Sequence, residues 1–335
     1  MISVLSFSAH DVYAVSFDIR DQPSCLALTS GSPSWNSSAK TCQITGASLA
    51  IHPKDSLILR FGTTLLITGG NITNGGIIVN HHGKITNFGS IHSFIGSTVT
   101  NDGGTIINNG IITNGGTMIN NGTMTNSGTI KNYNNGTMSL LKDLGNTKTG
   151  TIINGGTIII YNGLINSGGI IINNGEITNS NALANRGILI NHGVINSWNN
   201  LINDAGGILV STGSIINHPN GFIWNNDGAT LFNSGFISNP EMSTFLNFNT
   251  LNNGGTILAD SSWFFQGTRN HHSNSVLNNF GTIINPDNLW NFGTLNNYNN
   301  INNIGTTSNC GGIVNNLGTV TGNPIQDKSL SDCPQ

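Results

Sequence analysis

The chain has 335 residues, a formal net charge of −3 and only 7% charged residues, against about 25% in an ordinary globular domain. Eleven Lys and Arg residues, scattered singly, cannot neutralise a phosphate track, which argues against a nucleic-acid partner. No apolar run approaches the ~18 residues needed to span a bilayer, so membrane insertion is not expected.

Residues 1–46 form a non-repetitive N-terminal segment, which we interpret as a cap. It opens with "MISVLSFSAHDVYA", an apolar start with an acceptable cleavage context but no basic n-region. This opening is either the remnant of a signal peptide or a first strand. The segment also carries Cys25, Trp35 and Cys42. Residues 47–69 then alternate apolar and polar side chains and begin the repeat region, predicted to extend over 47–318.

A six-residue frame runs from Gly70 to about Asn316, with insertions of one or two residues. Its clearest stretch is "GTIINN GIITNG GTMINN GTMTNS GTIKNY", from Gly104 to Tyr133. The first, third and fifth positions are Gly, an aliphatic residue and Asn, and on an extended strand they share one face. Gly and Asn recur too often for a helix interior. Each hexad is therefore predicted to be one short strand followed by a corner.

One such strand buries almost nothing alone, so the strands must stack on equivalents about 4.8 Å away. The sequence predicts an all-β fold, a single-stranded parallel β-helix or β-solenoid. We favour three strands per coil of about 18 residues over two, since Gly150, Gly169, Gly187 and Gly207 recur near that interval. About 14 coils would give a rod on the order of 65 Å long. The pattern leaves the handedness undecided.

The frame also predicts which side chains form the core. The third-position residues should be buried, and the fifth-position asparagines should lie in or next to the corners, where stacked amides can bond along the axis. For the clearest stretch the predicted core is Ile106, Ile112, Met118, Met124 and Ile130, and the predicted corner residues are Asn108, Asn114, Asn120, Asn126 and Asn132.

The four cysteines lie at the two ends of the chain, outside the long middle. We predict the pairs Cys25–Cys42 and Cys310–Cys333, with four free buried thiols as the alternative. Disulfides would place the protein outside the cytosol. Residues 319–335, which have lost the frame and carry Cys333, are predicted to be a C-terminal cap.

Asn-x-Gly-x-Ile repeats preceded by a Cys/Trp segment resemble those of secreted β-solenoid surface proteins. The comparisons are filamentous-haemagglutinin-type adhesins and the Gly-Thr-Ile-x-Asn repeat proteins of archaeal cell surfaces, and the resemblance covers about residues 20–318. It implies a β-solenoid and a secreted or cell-surface location. It brings no catalytic motif, because such repeats occur in adhesins, fibres and matrix proteins alike.

Residues with catalytic or ligating chemistry are sparse. The carboxylates are scattered and mostly fall at predicted corners, and the histidines do not supply three converging ligands. We therefore expect no catalytic site, no metal site and no cofactor. Aromatic residues gather in the last third, where they either fill the core or form an exposed contact face. The candidate contact residues are Trp263, Phe265, Trp290 and Phe292.

The leading hypothesis is an extracellular structural or interaction protein that is not an enzyme: a fibre or filament subunit, a surface-layer or matrix component, or an adhesin. The alternative is a β-helix protein that binds or cleaves polysaccharide. Expected partners are further copies of the chain and, secondly, surface glycans. Four N-glycosylation sequons occur, at Asn36, Asn71, Asn121 and Asn135.

Overall fold

The computed structural model describes residues 14–28, 32–46, 48–260, 263–265 and 275–333, and for 263–265 the backbone alone. Each strand pairs in parallel with the equivalent strands one coil before and one coil after it. Ile112, for example, lies in register between Ile91 and Ile130. The chain is a β-solenoid of about 14 coils with three strands per coil, which confirms the predicted fold class.

Face A is a separate sheet of 14 strands, which we number as rows 1 to 14 in chain order. Its strands are Ser48–Ile51, Asn71–Asn74, Ser90–Ser93, Ile111–Asn114, Thr129–Asn132, Thr151–Asn154, Ile170–Asn173, Ile188–Asn191, Ile208–Ser211, Thr230–Asn233, Thr250–Asn253, Val276–Asn279, Thr294–Asn297 and Ile313–Asn316.

Faces B and C follow face A in every coil, and two long strands, Thr98–Asn108 and Thr117–Asn126, run through the corner between them. The other strands of face B are Ser16–Ile19, Ser56–Leu59, Ile77–His81, Thr137–Leu140, Thr157–Ile160, Glu176–Asn179, Val194–Ser197, Ser214–Asn217, Phe236–Asn239, Thr256–Ala259, Thr282–Asn285, Asn300–Asn303 and Thr319–Gly322. The other strands of face C are Thr41–Thr45, Thr64–Thr68, Lys84–Asn87, Leu144–Asn146, Gly163–Asn166, Ala182–Asn185, Asn200–Asn203, Phe222–Asn225, Thr244–Asn247, Trp263–Phe265, Asn288–Asn291, Thr306–Cys310 and Gln326–Lys328.

The N-terminal end of the rod is closed by a short helix and an antiparallel strand. Helix Gln22–Leu26 begins after Asp21, whose carboxylate accepts a hydrogen bond from the Ser24 backbone N–H at 3.0 Å. Strand Pro33–Asn36 pairs antiparallel with Thr41–Thr45 and so covers the first edge of face C. Among the described residues, no helix is long and apolar enough to cross a membrane.

Both predicted disulfides are confirmed. Cys25 in the helix is bonded to Cys42 in the first face C strand, and Cys310 at the end of Thr306–Cys310 is bonded to Cys333. The alternative of free thiols is excluded, because all four cysteines are described and none is free. A 3-10 turn, Leu330–Asp332, immediately precedes Cys333. The proposed boundaries of the two caps remain predictions.

The core is a narrow aliphatic stack along the rod axis. The second residue of each four-residue strand points inward, as the hexad frame predicts. Ile106, Ile112, Met118, Met124 and Ile130 are each 2% exposed or less, which confirms the predicted aliphatic ladder. Because every coil adds the same residues in the same register, the core is continuous from one end to the other.

The fourth strand residue, usually Asn, is also buried and completes the inner wall of each corner. The predicted corner residues Asn108, Asn114, Asn120, Asn126 and Asn132 are all at most 1% exposed. Their side-chain amides bond along the axis, as between Asn108 Nδ2 and Asn126 Oδ1 at 2.7 Å. Each amide also donates to a backbone carbonyl, which for Asn108 is that of Thr129 at 3.1 Å. The asparagines therefore tie neighbouring coils together.

The glycine that opens many hexads is required by close backbone approach rather than by a left-handed conformation. A Cβ at Gly193 would lie 2.0 Å from the carbonyl oxygen of Gly175 in the preceding coil, although Gly193 has no positive φ. Positive φ values occur instead at corners with inserted residues, such as Gly206 with φ +79°.

Candidate interaction surfaces

Two side chains of each four-residue strand, the first and the third, point outward, so each face presents two parallel columns of residues. On face A the ionisable side chains in these columns are His92 in row 3 and Lys131 in row 5. The outward columns from row 6 to row 14 carry apolar, Thr or Asn side chains and no ionisable group. The C-terminal two thirds of face A therefore form a long uncharged surface of the described rod.

An exposed aliphatic patch occupies the middle of this surface, and we name it the isoleucine face. It spans rows 6 to 10, and its outward side chains lie directly above one another in register. Ile170, Ile188, Ile208 and Phe232 are 37–40% exposed, which is high for large apolar residues in a sheet. The members of the isoleucine face are Ile153, Ile170, Ile172, Ile188, Ile190, Ile208, Val210 and Phe232.

Beyond the isoleucine face, one outward column changes to asparagine. Asn278 donates to Asn252 at 2.9 Å, Asn296 to Asn278 at 2.8 Å, and Asn315 to Asn296 at 2.7 Å. This surface ladder resembles the one that the buried asparagines form inside, but its amides donate towards the N-terminal end, whereas the buried amides donate towards the C-terminal end. Face A thus passes from an aliphatic to an amide surface without gaining charge.

A notch at the corner between faces A and B is the second candidate surface. The corners that follow rows 3 and 5 bulge outward at Phe94-Ile95 and at Tyr133-Asn134. The corner that follows row 4 consists only of Gly115 and Gly116. The bulges lie about 9.6 Å apart, two coil spacings. They enclose a space of about 450 Å³, lined by His92, Ser93, Phe94, Ile95, Gly115, Tyr133, Asn134 and Asn135.

The notch combines aromatic walls with amide groups. Phe94 is 51% and Tyr133 41% exposed, so both rings offer surface to a ligand. The His92 ring packs edge-on against Phe94 with centroids 5.7 Å apart, and Lys131 Nζ lies 4.9 Å from the centre of the Tyr133 ring. His92 is also hydrogen-bonded to the Thr113 hydroxyl. We name this feature the Phe94–Tyr133 notch.

Carboxylates at the corners mainly form local hydrogen bonds. Asp102 bonds to His81 at 2.7 Å, and this bond lowers the pKa of the Asp102 carboxyl. Arg186 Nε bonds to Asp204 at 2.7 Å, one coil later, and lowers the pKa of that carboxyl. Asp102 and Asp204 therefore lie at corners, as the sequence analysis expected for most of the carboxylates.

An open depression of about 720 Å³ lies between faces B and C and includes Glu241, Asp260 and Asp287 among its lining residues. Its described lining residues include no Lys, Arg or His, so the acid–base arrangement of a carboxylate with a basic partner is not formed there. Within the described ranges, no three His, Cys, Asp or Glu side chains converge as a metal site would require.

The four aromatic residues that the sequence suggested as contacts are not part of the isoleucine face; they lie on face C or at the corner that follows it. Trp290 is an outward, half-buried residue of face C, and Phe292 is half-buried at the following corner. The side chains of Trp263 and Phe265 lie outside the described residues. Phe245, from the same aromatic-rich region, is fully buried in the core. The role of the four candidates as a contact surface stays a prediction.

All four sequon asparagines are exposed. Asn36 lies in the cap hairpin, Asn71 on face A in row 2, and Asn121 and Asn135 at corners. The outward position that glycosylation of Asn121 and Asn135 requires is therefore present. Whether any of the four is modified stays a prediction.

The isoleucine face and the Phe94–Tyr133 notch were both missed by reasoning from the sequence. The isoleucine face had a signal, since isoleucine fills the second and fourth hexad positions of every third hexad between Ile170 and Ile190. This signal can be recognised only when it is known that every third hexad lies on the same face of the rod. The notch depends on which corners bulge, and that is decided by the stacking of three coils.

No protein-family model and no curated protein matches the chain. Among solved structures, the chain is similar to a fragment of TibA, residues 55–350, whose hyper-glycosylation was catalysed by TibC. The two are 14% identical, the match covers 86% of this chain and 94% of that chain, and the TM-score is 0.25. At that TM-score the similarity supports no statement about this protein, whose fold is established by its own strand pairing.

Proposed function

We propose that the protein is a secreted or cell-surface scaffold, a rod that acts as a filament subunit, matrix component or adhesin. The observation that carries the proposal is the repetition of one three-strand coil along the whole described rod, with outward faces that are nearly free of charge. Such a chain is built to present long surfaces rather than to close around a substrate.

Two further features support this proposal. Both ends of the chain carry disulfides, which persist outside the cytosol. The continuous core and the stacked asparagines connect every coil to its neighbours, so bending or local opening must break several contacts at once. The resemblance of the repeats to those of secreted adhesins points in the same direction.

A second candidate function is the binding of polysaccharide, and the Phe94–Tyr133 notch favours it. Sugars bind proteins by stacking their C–H faces on aromatic rings while amides bond the hydroxyls, and the notch offers Phe94, Tyr133 and Asn134 for these roles. Cleavage would require clustered carboxylates or a carboxylate with a basic partner, and the described lining residues of the notch include no Asp or Glu.

Electron microscopy and a polysaccharide assay test these proposals together. The scaffold proposal expects rods about 65 Å long or multiples of them, and no release of reducing ends from extracellular polysaccharides. Measurable turnover would contradict it. For saccharide binding, Tyr133→Ala should weaken retention on a polysaccharide column. Tyr161→Ala, which changes an even more exposed corner tyrosine outside the notch, should not. Equal retention of both variants would reject the notch as the binding site.

A further inference from the structure

We propose that face A is a homotypic docking surface, on which a second copy of the chain packs antiparallel with the two isoleucine faces in contact. This inference rests on the proposed scaffold function and deepens it by naming the partner and the surface. It moves the expected contact from the aromatic residues of the last third to the aliphatic residues of rows 6 to 10.

The surface chemistry fits a partner that is also apolar and uncharged. The isoleucine face has eight aliphatic or aromatic side chains, and its neighbours in the same rows are Thr151 and Thr230. A charged or strongly hydrated ligand would gain nothing from it. The largest apolar patch on the surface of a protein often has a function, and a contiguous patch of this kind often marks a contact site. The same face of a second copy supplies a matching surface.

The size of face A is sufficient for a stable interface. A strand of four residues is about 13 Å wide and 14 rows extend about 65 Å, so the whole face covers about 850 Å². Specific interfaces bury about 800 Å² on each partner. The isoleucine face alone covers about 300 Å² by the same estimate. It would form the apolar centre, and the Thr and Asn columns on either side would form the polar rim.

The position of the isoleucine face fits a two-fold axis. Five rows precede it and four follow it, so it lies near the middle of face A. A two-fold axis along the Ile188–Asn191 strand, which is row 8, places row 7 against row 9 of the second copy and row 6 against row 10. The remaining rows pair in the same way, further from the axis. The two rods then overlap along almost their full length. A self-complementary patch at the centre is what an isologous interface requires.

The few ionisable groups of face A favour antiparallel over parallel packing. In a parallel pair, row 5 would face row 5 of the second copy, so the two Lys131 ammonium groups would lie in the same row of the interface and repel each other. In the antiparallel pair, Lys131 in row 5 faces Thr250 and Asn252 in row 11 of the second copy. His92 in row 3 likewise faces Thr294 and Asn296 in row 13. Neither group meets its own equivalent.

Sedimentation velocity of the full chain with intact disulfides is the first test. The protein should be made in a host that does not glycosylate, because the sequon Asn71 lies on face A. We expect a dimer over the range from about 1 to 100 μM. Ile188→Lys should raise the dissociation constant by about two orders of magnitude, since it would bury an unpaired charge at the centre of the contact. Ile216→Lys makes the same change at a half-buried outward position of face B and should leave the dimer intact.

Cysteine cross-linking tests the orientation independently of those variants. Ile153 in row 6 and Phe232 in row 10 face each other in the antiparallel pair. A mixture of Ile153→Cys and Phe232→Cys chains, treated with a short bismaleimide, should therefore give the mixed dimer in preference to either like pair. Preferential cross-linking of Ile153→Cys chains with one another would contradict the antiparallel arrangement.

A wild-type chain that remains monomeric at 100 μM would overturn homotypic docking. So would a dimer that Ile216→Lys disrupts as strongly as Ile188→Lys does, provided that the thermal unfolding midpoints of both variants match the wild type. Either result leaves the scaffold proposal standing, because that proposal depends on rod shape and on the absence of turnover.

Discussion

Asn146 donates a hydrogen bond from its side-chain Nδ2 to Oδ1 of Asn166, twenty residues further along the chain, at 2.8 Å. The same bond repeats at the corner between faces C and A through nine consecutive coils, each at 2.7–2.8 Å. This buried asparagine ladder comprises Asn87, Asn108, Asn126, Asn146, Asn166, Asn185, Asn203, Asn225 and Asn247.

The ladder bonds all run in one direction, which explains where buried amide groups are left unpaired. Each Nδ2 donates towards the C-terminal end, so the first asparagine after an interruption has no donor for its Oδ1. Asn114 follows Ser93 at its corner, and Asn285 follows Ala259; the Oδ1 of both asparagines has no partner among the described residues. At the other end, Asn239 precedes Ala259, and its Nδ2 has no partner within the described part of the chain.

Replacing a ladder asparagine should therefore cost more than replacing a surface one. Asn166→Ala removes the acceptor of Asn146 and the 2.8 Å donor to Asn185, so we expect a loss of about 1–3 kcal/mol in the free energy of unfolding. The control is Asn302→Ala on face B, where water replaces the lost contact with the Thr321 hydroxyl and about 0.5 kcal/mol or less is expected. Urea unfolding followed by circular dichroism measures both. Equal losses would show that the buried ladder stabilises the fold no more than a surface asparagine does.

Two glycine-to-alanine substitutions test whether a glycine is needed for close approach of the backbone or only adds flexibility to the chain. At Gly193 an added Cβ would lie 2.0 Å from the Gly175 carbonyl oxygen, and relieving that clash should cost about 1–3 kcal/mol or more. At Gly145 an added Cβ meets nothing within 4 Å, so Gly145→Ala should be neutral or stabilise by up to about 1 kcal/mol. The thermal unfolding midpoint should fall for Gly193→Ala and should stay the same or rise for Gly145→Ala. A neutral Gly193→Ala variant would contradict the tight stacking of the coils.

Loss of the Cys25–Cys42 disulfide should loosen the N-terminal cap. The bond closes a loop with a sequence separation of 17, and removing such a bond typically costs about 3 kcal/mol. A Cys25→Ser and Cys42→Ser double variant should expose the cap to limited proteolysis while the repeat region stays resistant. Peptide mapping of the digests identifies the sites cut. Cleavage in the repeats before the cap would show that the disulfide supports more than the cap.

His218 should titrate below the ordinary range of histidine. Its ring stacks on Trp198 with centroids 3.7 Å apart, and burial lowers its pKa, because the charged form loses hydration. Folding therefore favours the neutral ring. The stabilisation is complete above the unfolded value of about 6.5 and is lost as the pH falls towards the lower folded pKa.

Imidazole signals in an NMR titration measure the pKa of His218 directly. In Trp198→Ala the ring loses its cover, so its pKa should move up towards the ordinary value. A pKa of His218 that is the same in the wild type and in Trp198→Ala would show that the stacked indole does not cause the shift.

The hexad frame was enough to predict the strand, the corner and the core column. Each of these follows from contacts between residues of one hexad and its copies, such as Ile112 against Ile91 and Ile130. The preference for three strands per coil came instead from the interval at which glycines such as Gly169 and Gly187 recur. The disulfides were predictable for a different reason. The cysteines occur only at the ends, where a solenoid must close its open edges.

The surfaces were not predictable in the same way. Residues that share an outward column are one coil apart, and insertions at corners change that interval, so Ile153, Ile172 and Ile190 come together only when the coils are stacked in register. The notch likewise needs two bulging corners with a two-glycine corner between them. The sequence alone determined what the repeat buries, because burial is set within one hexad. Only the tertiary structure decided which side chains come together on the outer surface of the rod, because that depends on the register between coils.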